Sequence, residues 1–400
     1  MKDLRPPFIG LKDINPTEFF KNIKTPCYMI DEAMIIKDCE ILKSVQDRTG
    51  AKILLAQKAF SNFNLYNIIE SYLAGTEASG LYEARLGKEE MPNKEVHVFS
   101  AAYREDEFNE LLKYADHIIF NSVSQLKKYG KKAKANGKEI GLRINPEIST
   151  QPGHEIYDPC SSGSRLGVTI NSFIEEMTDE LINMLDGIHF HTLCQQNSDD
   201  LEKTLNVVLD KFGKYFNNLK WINFGGGHHI TRFDYDIERL IRCINLVKNK
   251  YNVDVYLEPG EAVVLNAGYV LTRVLDKFKK NGMNFLIVDT SAACHFPDVL
   301  EMPFLPPLYL ADLEGNDILY RIGCPTCLTG DVIGNYKFKN EINVNDLLIF
   351  GDMALYTTCK NNTFNGMPLP DIYILRKDKK IDKITNFGYT DFKMRLGKLN

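Results

Sequence analysis

The sequence predicts an α/β chain, a (β/α)8 TIM-type barrel followed by a mainly antiparallel C-terminal β domain. Three observations predict it. Eight short apolar runs alternate with amphipathic stretches between residues 53 and 260, about the span that a barrel of this kind needs. Several of those runs are apolar throughout, as strands buried on both faces are. After Glu261 more strand-like runs follow, with no long helices between them.

In chain order, the run Cys27 to Ile30 (CYMI) precedes the barrel and is a candidate partner strand for the β domain. The eight barrel strands are expected at Ile53 to Ala59, Thr76 to Gly80, Val96 to Ala101, His117 to Asn121, Ile140 to Asn145, Gly187 to Leu193, Trp221 to Gly227 and Val253 to Gly260. Glu105 to Tyr114 and Leu201 to Phe212 carry the apolar spacing of helices that cover a barrel. The β domain is expected to use Val270 to Phe278, Phe285 to Thr290, Ile318 to Gly323, Leu347 to Phe350 and Asp371 to Leu375, with Met394 to Asn400 as a tail. The division follows, with the barrel at 35–265 and the β domain at 1–34 and 266–400.

Apolar residues make up 44% of the 400, enough for a large core, and the formal net charge of −5 argues against a chain devoted to nucleic acid. The segment MKDLRPPFIG has no apolar signal core, and no apolar run is long enough to span a membrane, so a soluble cytoplasmic protein is expected. Nine scattered cysteines, an odd number, fit reduced thiols. Cys324 and Cys327 form one Cys-x-x-Cys, but no second pair has the spacing of a zinc site, so the spacing reads as coincidental and no metal centre is expected.

In barrels of this type the chemistry sits at the C-terminal ends of the strands. Lys58, Glu77, Asn121, Arg143, Asn145, His191, Gly225, Gly226, Gly227 and Glu258 all fall there. Each has a plain alternative. Lys58 is a packed surface charge or, with the apolar flanks LLAQKAF, a part-buried amine whose lowered pKa suits imine chemistry. Three glycines make a tight turn or an anion-binding loop. His191 is a satisfied core histidine or a stacking partner, and Glu258, before Pro259-Gly260, pairs with a ring nitrogen or with a local arginine. Taken together, an imine lysine, an anion loop, a stacking aromatic and a carboxylate are what pyridoxal 5'-phosphate (PLP) requires.

On these residues the chain resembles the fold-type III PLP decarboxylases, relatives of alanine racemase and of the ornithine and diaminopimelate decarboxylases. Within them it is similar to the branch acting on carboxynorspermidine and carboxyspermidine in polyamine synthesis. The resemblance runs from about Pro26 to Leu375. It implies a PLP-dependent carboxy-lyase in which Lys58 carries the cofactor and His191, in GIHFH, stacks on the pyridine. Gly225 to Gly227 then hold the phosphate, and Glu258, in EPGEA, meets the ring nitrogen. It also implies Arg165, in SRLGV, near the cofactor and Tyr356, in GDMALYTT, at the phosphate. Cys327, in CPTCLTGD, would protonate the α-carbon across a homodimer with shared active sites. Relatives often read EPGR where this chain has EPGE. A glutamate repels a distal carboxylate and suits an amine, so Glu261 is expected to bind a carboxylated polyamine, with Asp298, Asp331 and Asp289 as further candidates. The competing readings are a diaminopimelate decarboxylase-like enzyme, a non-catalytic PLP-binding protein and a phosphate-binding barrel without PLP.

Overall fold

The structure, a computed structural model, describes residues 7–151, 155–312 and 317–397. After strand β1 (Cys27–Asp31) the chain lays down eight short strands: β2 (Lys52–Ala56), β3 (Gly75–Ala78), β4 (Glu95–Phe99), β5 (His117–Phe120), β6 (Glu139–Arg143), β7 (Gly187–His189), β8 (Trp221–Asn223) and β9 (Asp254–Leu257). They pair in that order, every pairing is parallel, and β9 closes on β2. The predicted barrel is therefore present, and each strand begins within one residue of its expected start. The strands end one to four residues earlier than expected, because the apolar runs continue past the last ladder bond into turns at the C-terminal rim.

The covering helices follow from simple signals. Helix Glu105–Tyr114 opens on Glu105, Asp106 and Glu107, which suit the positive end of a helix dipole, and buries Phe108, Leu111 and Leu112 on one face. Helix Ile237–Tyr251 is capped by the Asp236 carboxylate, which accepts from the Arg239 N–H, and ends on Asn252 in the left-handed conformation.

Leu54, Ile119, Trp221 and Tyr256 fill the barrel interior. Room for the lone tryptophan comes from two glycines, since a Cβ on Gly187 would lie 2.1 Å from the indole and one on Gly141 2.4 Å from it. At the N-terminal rim, where first residues of strands converge, Lys52 Nζ donates to Glu95 Oε1 (2.7 Å) and Tyr256 Oη to Glu95 Oε2 (2.8 Å). The Trp221 N–H donates to Glu139 Oε2 (2.9 Å).

The chain divides into two compact units, 37–263 and 1–36 with 264–400. In the second, buried β1 lies between β10 (Gly268–Lys280), to which it is antiparallel, and the later strand Asp371–Leu375, to which it is parallel. β10 also pairs with β11 (Met283–Val288), and the sheet continues through β12 (Ala311–Asp312), β13 (Ile318–Gly323), β14 (Val332–Phe338), β15 (Leu347–Gly351), β16 (Asp371–Leu375) and β17 (Ile381–Lys383). Apart from β1 with β16 and β11 with β13, its pairings are antiparallel. Helix Tyr389–Met394 ends on the first residue of the expected tail, and residues 398–400 of that tail lie outside the described residues. Among the described residues no helix is long and apolar enough to cross a membrane.

Because Trp221 fills the space that Gly187 leaves, Gly187→Ala should destabilise the protein by about 1–3 kcal/mol, the usual cost of overpacking a core. Denaturation followed by Trp221 fluorescence reads this directly, and an unchanged midpoint would show that the indole can move aside.

Candidate active site

Lys58 follows β2 by two residues, in the turn Gln57–Ala59, and is half-buried. The turn is pinned by the Gln57 N–H donating to the Glu77 carbonyl (3.0 Å). Glu77, on β3, is buried, and Ser79 Oγ donates to its Oε1 at 3.4 Å. Its Oε2 has no partner among the described residues. Burial pushes the Glu77 carboxyl upward, the ammonium of Lys58 opposes this, and Glu258 adds to it.

Glu258 directly follows β9 and is buried. His189 Nε2, on β7, stands 3.1 Å from Glu258 Oε2, and Asn223 Nδ2, on β8, donates to Oε1 at 2.6 Å. Burial alone would raise this carboxyl. The histidine contact outweighs it, with smaller help from His97 and Lys58, and Glu258 is held below the ordinary carboxylate range. Two buried acids side by side are thereby pushed apart, one toward the neutral form and one toward the ionised form.

His191, two residues past β7, is half-buried. Burial, then the charges of Lys58 and Arg143, keep its imidazole well below the usual histidine range and therefore neutral. Arg143 is buried, donates to the His191 carbonyl (3.1 Å) and lies 4.5 Å from the centre of the Phe99 ring.

The glycine triplet follows β8. Gly225 (φ 70°) and Gly227 (φ 81°) are left-handed, and a Cβ on Gly226 would lie 2.7 Å from the Glu258 carbonyl oxygen. The Gly225 N–H donates to Asn223 Oδ1 (2.8 Å), whereas the Gly226 and Gly227 N–H groups meet no protein acceptor among the described residues. Both features fit an anion cradle, because the backbone is bare and two donors remain unused.

Glu261 accepts from Gln195 Nε2 (2.9 Å), and His229 Nε2 stands 3.9 Å from its other oxygen. Arg165 is exposed. Its carbonyl accepts from Asn121 Nδ2 (2.9 Å), and Asn121 Oδ1 accepts from the Gly167 N–H (2.8 Å). Asn145 Nδ2 donates to the Leu166 carbonyl (3.2 Å), so these two strand-end asparagines hold the Arg165 loop rather than pointing a free amide outward.

The remaining candidates belong to the β unit. Tyr356 precedes helix Thr357–Lys360 in the left-handed conformation (φ 56°), an uncommon setting for a bulky side chain. Cys327 is exposed and its N–H donates to Asn365 Oδ1 (3.0 Å), while Cys324 is buried. Asp331 is buried and accepts from Ser291 Oγ (2.7 Å), Thr326 Oγ1 (2.5 Å) and the Ala293 N–H (3.0 Å), so it orders the Cys324–Cys327 loop. Asp289 accepts from Thr25, Thr272 and the Arg273 N–H. Asp298 is bound by Lys360, which also binds Glu301.

His189, Asn223 and Phe99 were not picked out from the sequence. One signal was present, because residues two apart on a strand face the same way and His189 is two before His191. Two groups of side chains have metal-ligand types at close range, Glu95–His97–His117 and His189–His191–Glu258. In the first, the His97 and His117 rings stack 3.9 Å apart at 19°, so their in-plane lone pairs run side by side instead of converging on one ion.

With this geometry in view, the profile of the pyridoxal-dependent decarboxylase family, described as its C-terminal sheet domain, matches residues 27–354. The carboxynorspermidine/carboxyspermidine decarboxylase of Campylobacter jejuni is 40% identical over 94% of this chain and 100% of its own. The carboxyaminopropylagmatine decarboxylase of a Synechocystis species is 36% identical over 94% of this chain and 96% of its own. The crystal structure of the Campylobacter jejuni carboxynorspermidine decarboxylase in complex with norspermidine superposes with a TM-score of 0.86 at 39% identity, covering 93% of this chain and 100% of that one.

Burial pushes His228, His229 and His295 down to about 4 and, with His97 beside it, His117 to about 2. An unfolded histidine titrates near 6.5, so below that pH the unfolded chain takes up protons that the folded one refuses, and stability falls as pH falls. Glu77 and Glu83, whose carboxyls burial pushes up, work in the opposite direction but are outnumbered by the histidines. Unfolding free energies from denaturant titrations at pH 7.5 and 5.5 should differ by about 1 kcal/mol per buried neutral histidine, with the midpoint lower at pH 5.5. Equal midpoints would mean that these rings ionise inside the fold.

Proposed function

The chain belongs to the pyridoxal-dependent decarboxylases, and from that premise we propose that it removes CO2 from carboxynorspermidine or carboxyspermidine, yielding norspermidine or spermidine in polyamine biosynthesis. The end-to-end similarity to an enzyme named for both substrates carries this reading. Glu261 adds the chemical reason, since a carboxylate at that position welcomes an amine chain and repels the distal carboxylate of diaminopimelate.

The residues present fit PLP. The Gly226 and Gly227 N–H groups, which meet no protein acceptor among the described residues, would hold its phosphate, with Tyr356 and Arg165 as further contacts. The Lys58 amine would hold its aldehyde carbon, and the neutral ring of His191 would lie against its face. When bound, PLP supplies an electron sink for the pair left behind by departing CO2. Glu258, as a carboxylate, keeps a proton on the pyridine nitrogen. Glu77, pushed toward its neutral form beside Lys58, can hold a proton without adding a second negative charge. Cys327 returns a proton to the substrate α-carbon. Its exposure suits service to a neighbouring subunit, and the enzyme is proposed to be a cytoplasmic homodimer with shared sites. Glu261 binds the ammonium groups of the substrate. Asp298 stands second because Lys360 already holds it, and Asp331 contributes by ordering the Cys327 loop.

CO2 release tests the substrate. The panel is carboxyspermidine, carboxynorspermidine, carboxyaminopropylagmatine, meso-diaminopimelate and ornithine. The two carboxylated triamines should turn over best. Preference for carboxyaminopropylagmatine would move the assignment to a guanidinium-ended chain, and preference for diaminopimelate would sink the polyamine reading. Glu261→Gln should raise KM for the triamine about 10- to 100-fold with a smaller change in kcat, the loss expected for one hydrogen bond to a charged group. If the sites are shared, mixing inactive Lys58→Ala and Cys327→Ala proteins should restore about a quarter of wild-type activity, because half the dimers are then mixed and carry one intact site. No recovery after subunit exchange would place Cys327 in its own subunit's site or outside the reaction.

A further inference from the structure

A carboxylate buried as deeply as Glu258 needs donors on its oxygens. Two side chains not assigned to the reaction above supply them, and their directions are fixed by chemistry. Asn223 Oδ1 accepts the Gly225 N–H (2.8 Å), so its Nδ2 is the atom that faces Glu258 Oε1 at 2.6 Å. An ionised carboxylate only accepts, so His189 presents its Nε2–H to Oε2 at 3.1 Å. Burial favours the neutral ring that this tautomer requires. The His189 ring is itself held, stacked on Phe99 at 5.5 Å and 17°. The titratable and charged groups around Glu258 are His189 on β7 and His191 just after it, His97 on β4, Lys58 after β2, Glu77 on β3, Arg143 on β6 and His228 after the glycine turn.

We propose that His189 and Asn223 are positioning residues that clamp the Glu258 carboxylate at two points, and that Asn223 also ties this carboxylate to the Gly225 turn. The inference rests on the reading of Glu258 as the partner of the pyridine nitrogen. A carboxylate that already accepts two hydrogen bonds is a weaker base than one that accepts none, so the proton shared with the pyridine stays on nitrogen. Each oxygen keeps a second lone pair, which leaves room for the ring N–H. Through Asn223, one amide sets both ends of the cofactor site, the ring-nitrogen carboxylate by its donor and the phosphate turn by its acceptor.

The experiment uses full-length enzyme loaded with PLP labelled with 15N in the ring. In the wild type the 15N signal should stand at the pyridinium position, with the label trapped on Lys58 by borohydride. A wild-type ring that is unprotonated, or a label on another lysine, would overturn the reading of the site and the clamp with it. In His189→Phe, which keeps the aromatic stack and loses the donor, the signal should move toward neutral pyridine. In His189→Gln, which keeps an N–H donor, it should return toward the wild-type position. The loss of kcat in His189→Phe should be about tenfold, the equivalent of one charge-assisted hydrogen bond. Asn223→Leu should shift the 15N signal in the same way and should also weaken PLP binding relative to pyridoxal, which has no phosphate. Should either variant fail to fold, the other carries the test by the same signal. A pyridinium signal unchanged in a folded His189→Phe or Asn223→Leu enzyme would overturn the clamp while leaving Lys58 and Glu258 in their roles.

Discussion

Taking a carboxylate out of water costs several kcal/mol unless both oxygens are met by donors. At Glu258 that requirement shapes the C-terminal rim of the barrel. β7 ends on the histidine that meets one oxygen, and β8 ends on the asparagine that meets the other. The Gly225 turn follows because Asn223 holds its N–H, and the glycines are required because a Cβ would strike neighbouring backbone. Lys58 and Glu77 complete the balance. The cation helps to keep Glu258 ionised, and the ionised Glu258 helps to keep Glu77 neutral.

The opposite rim holds a partly exposed glutamate and meets it differently. Glu95 is met by the ammonium of Lys52 and by the hydroxyl of Tyr256, with His97 Nε2 3.2 Å from the same oxygen as the hydroxyl. A full counter-charge and several donors close that network on itself. At Glu258 the direct partners are a neutral imidazole and an amide, and a lone pair on each oxygen remains for a visitor. The two ends of one barrel thus separate a stabilising cluster from a receptive one, the division of labour usual in this architecture.

The fold was legible because apolar runs at a steady spacing mark strands whatever their partners. The starts of the barrel strands followed from the pattern, but their ends did not, since periodicity carries no mark of where ladder bonds stop. β14 escaped because Gly334, Asn335 and Lys337 break its apolar pattern, and β17 because its three residues are mostly polar and exposed. At the site, Lys58, the glycine triplet and Glu258 could be read from position at strand ends. His189 and Asn223 could not, because each matters through a partner dozens of residues away, and a polar residue in a short strand looks like an ordinary core group. The acidic residues taken as amine binders show the same limit. Nothing in the sequence reveals that Asp331 is already met by Ser291, Ala293 and Thr326 or that Lys360 reaches Asp298.

The placement of β1 has a consequence for how the chain is made. This buried strand pairs with β10 and β16, and Cys27 sits opposite Leu271 in the register. At synthesis rates of about 5–20 residues per second, roughly 240 residues must follow before the first of these partners leaves the ribosome, which takes on the order of tens of seconds. The barrel strands emerge one after another during that interval, β9 ending at Leu257 just ahead of β10 at Gly268, while β1 remains an unpaired apolar segment of the kind that other chains can capture. The nascent protein therefore passes through a long stage in which a growing barrel trails an unclaimed strand, and demand for chaperones during production should be greatest there.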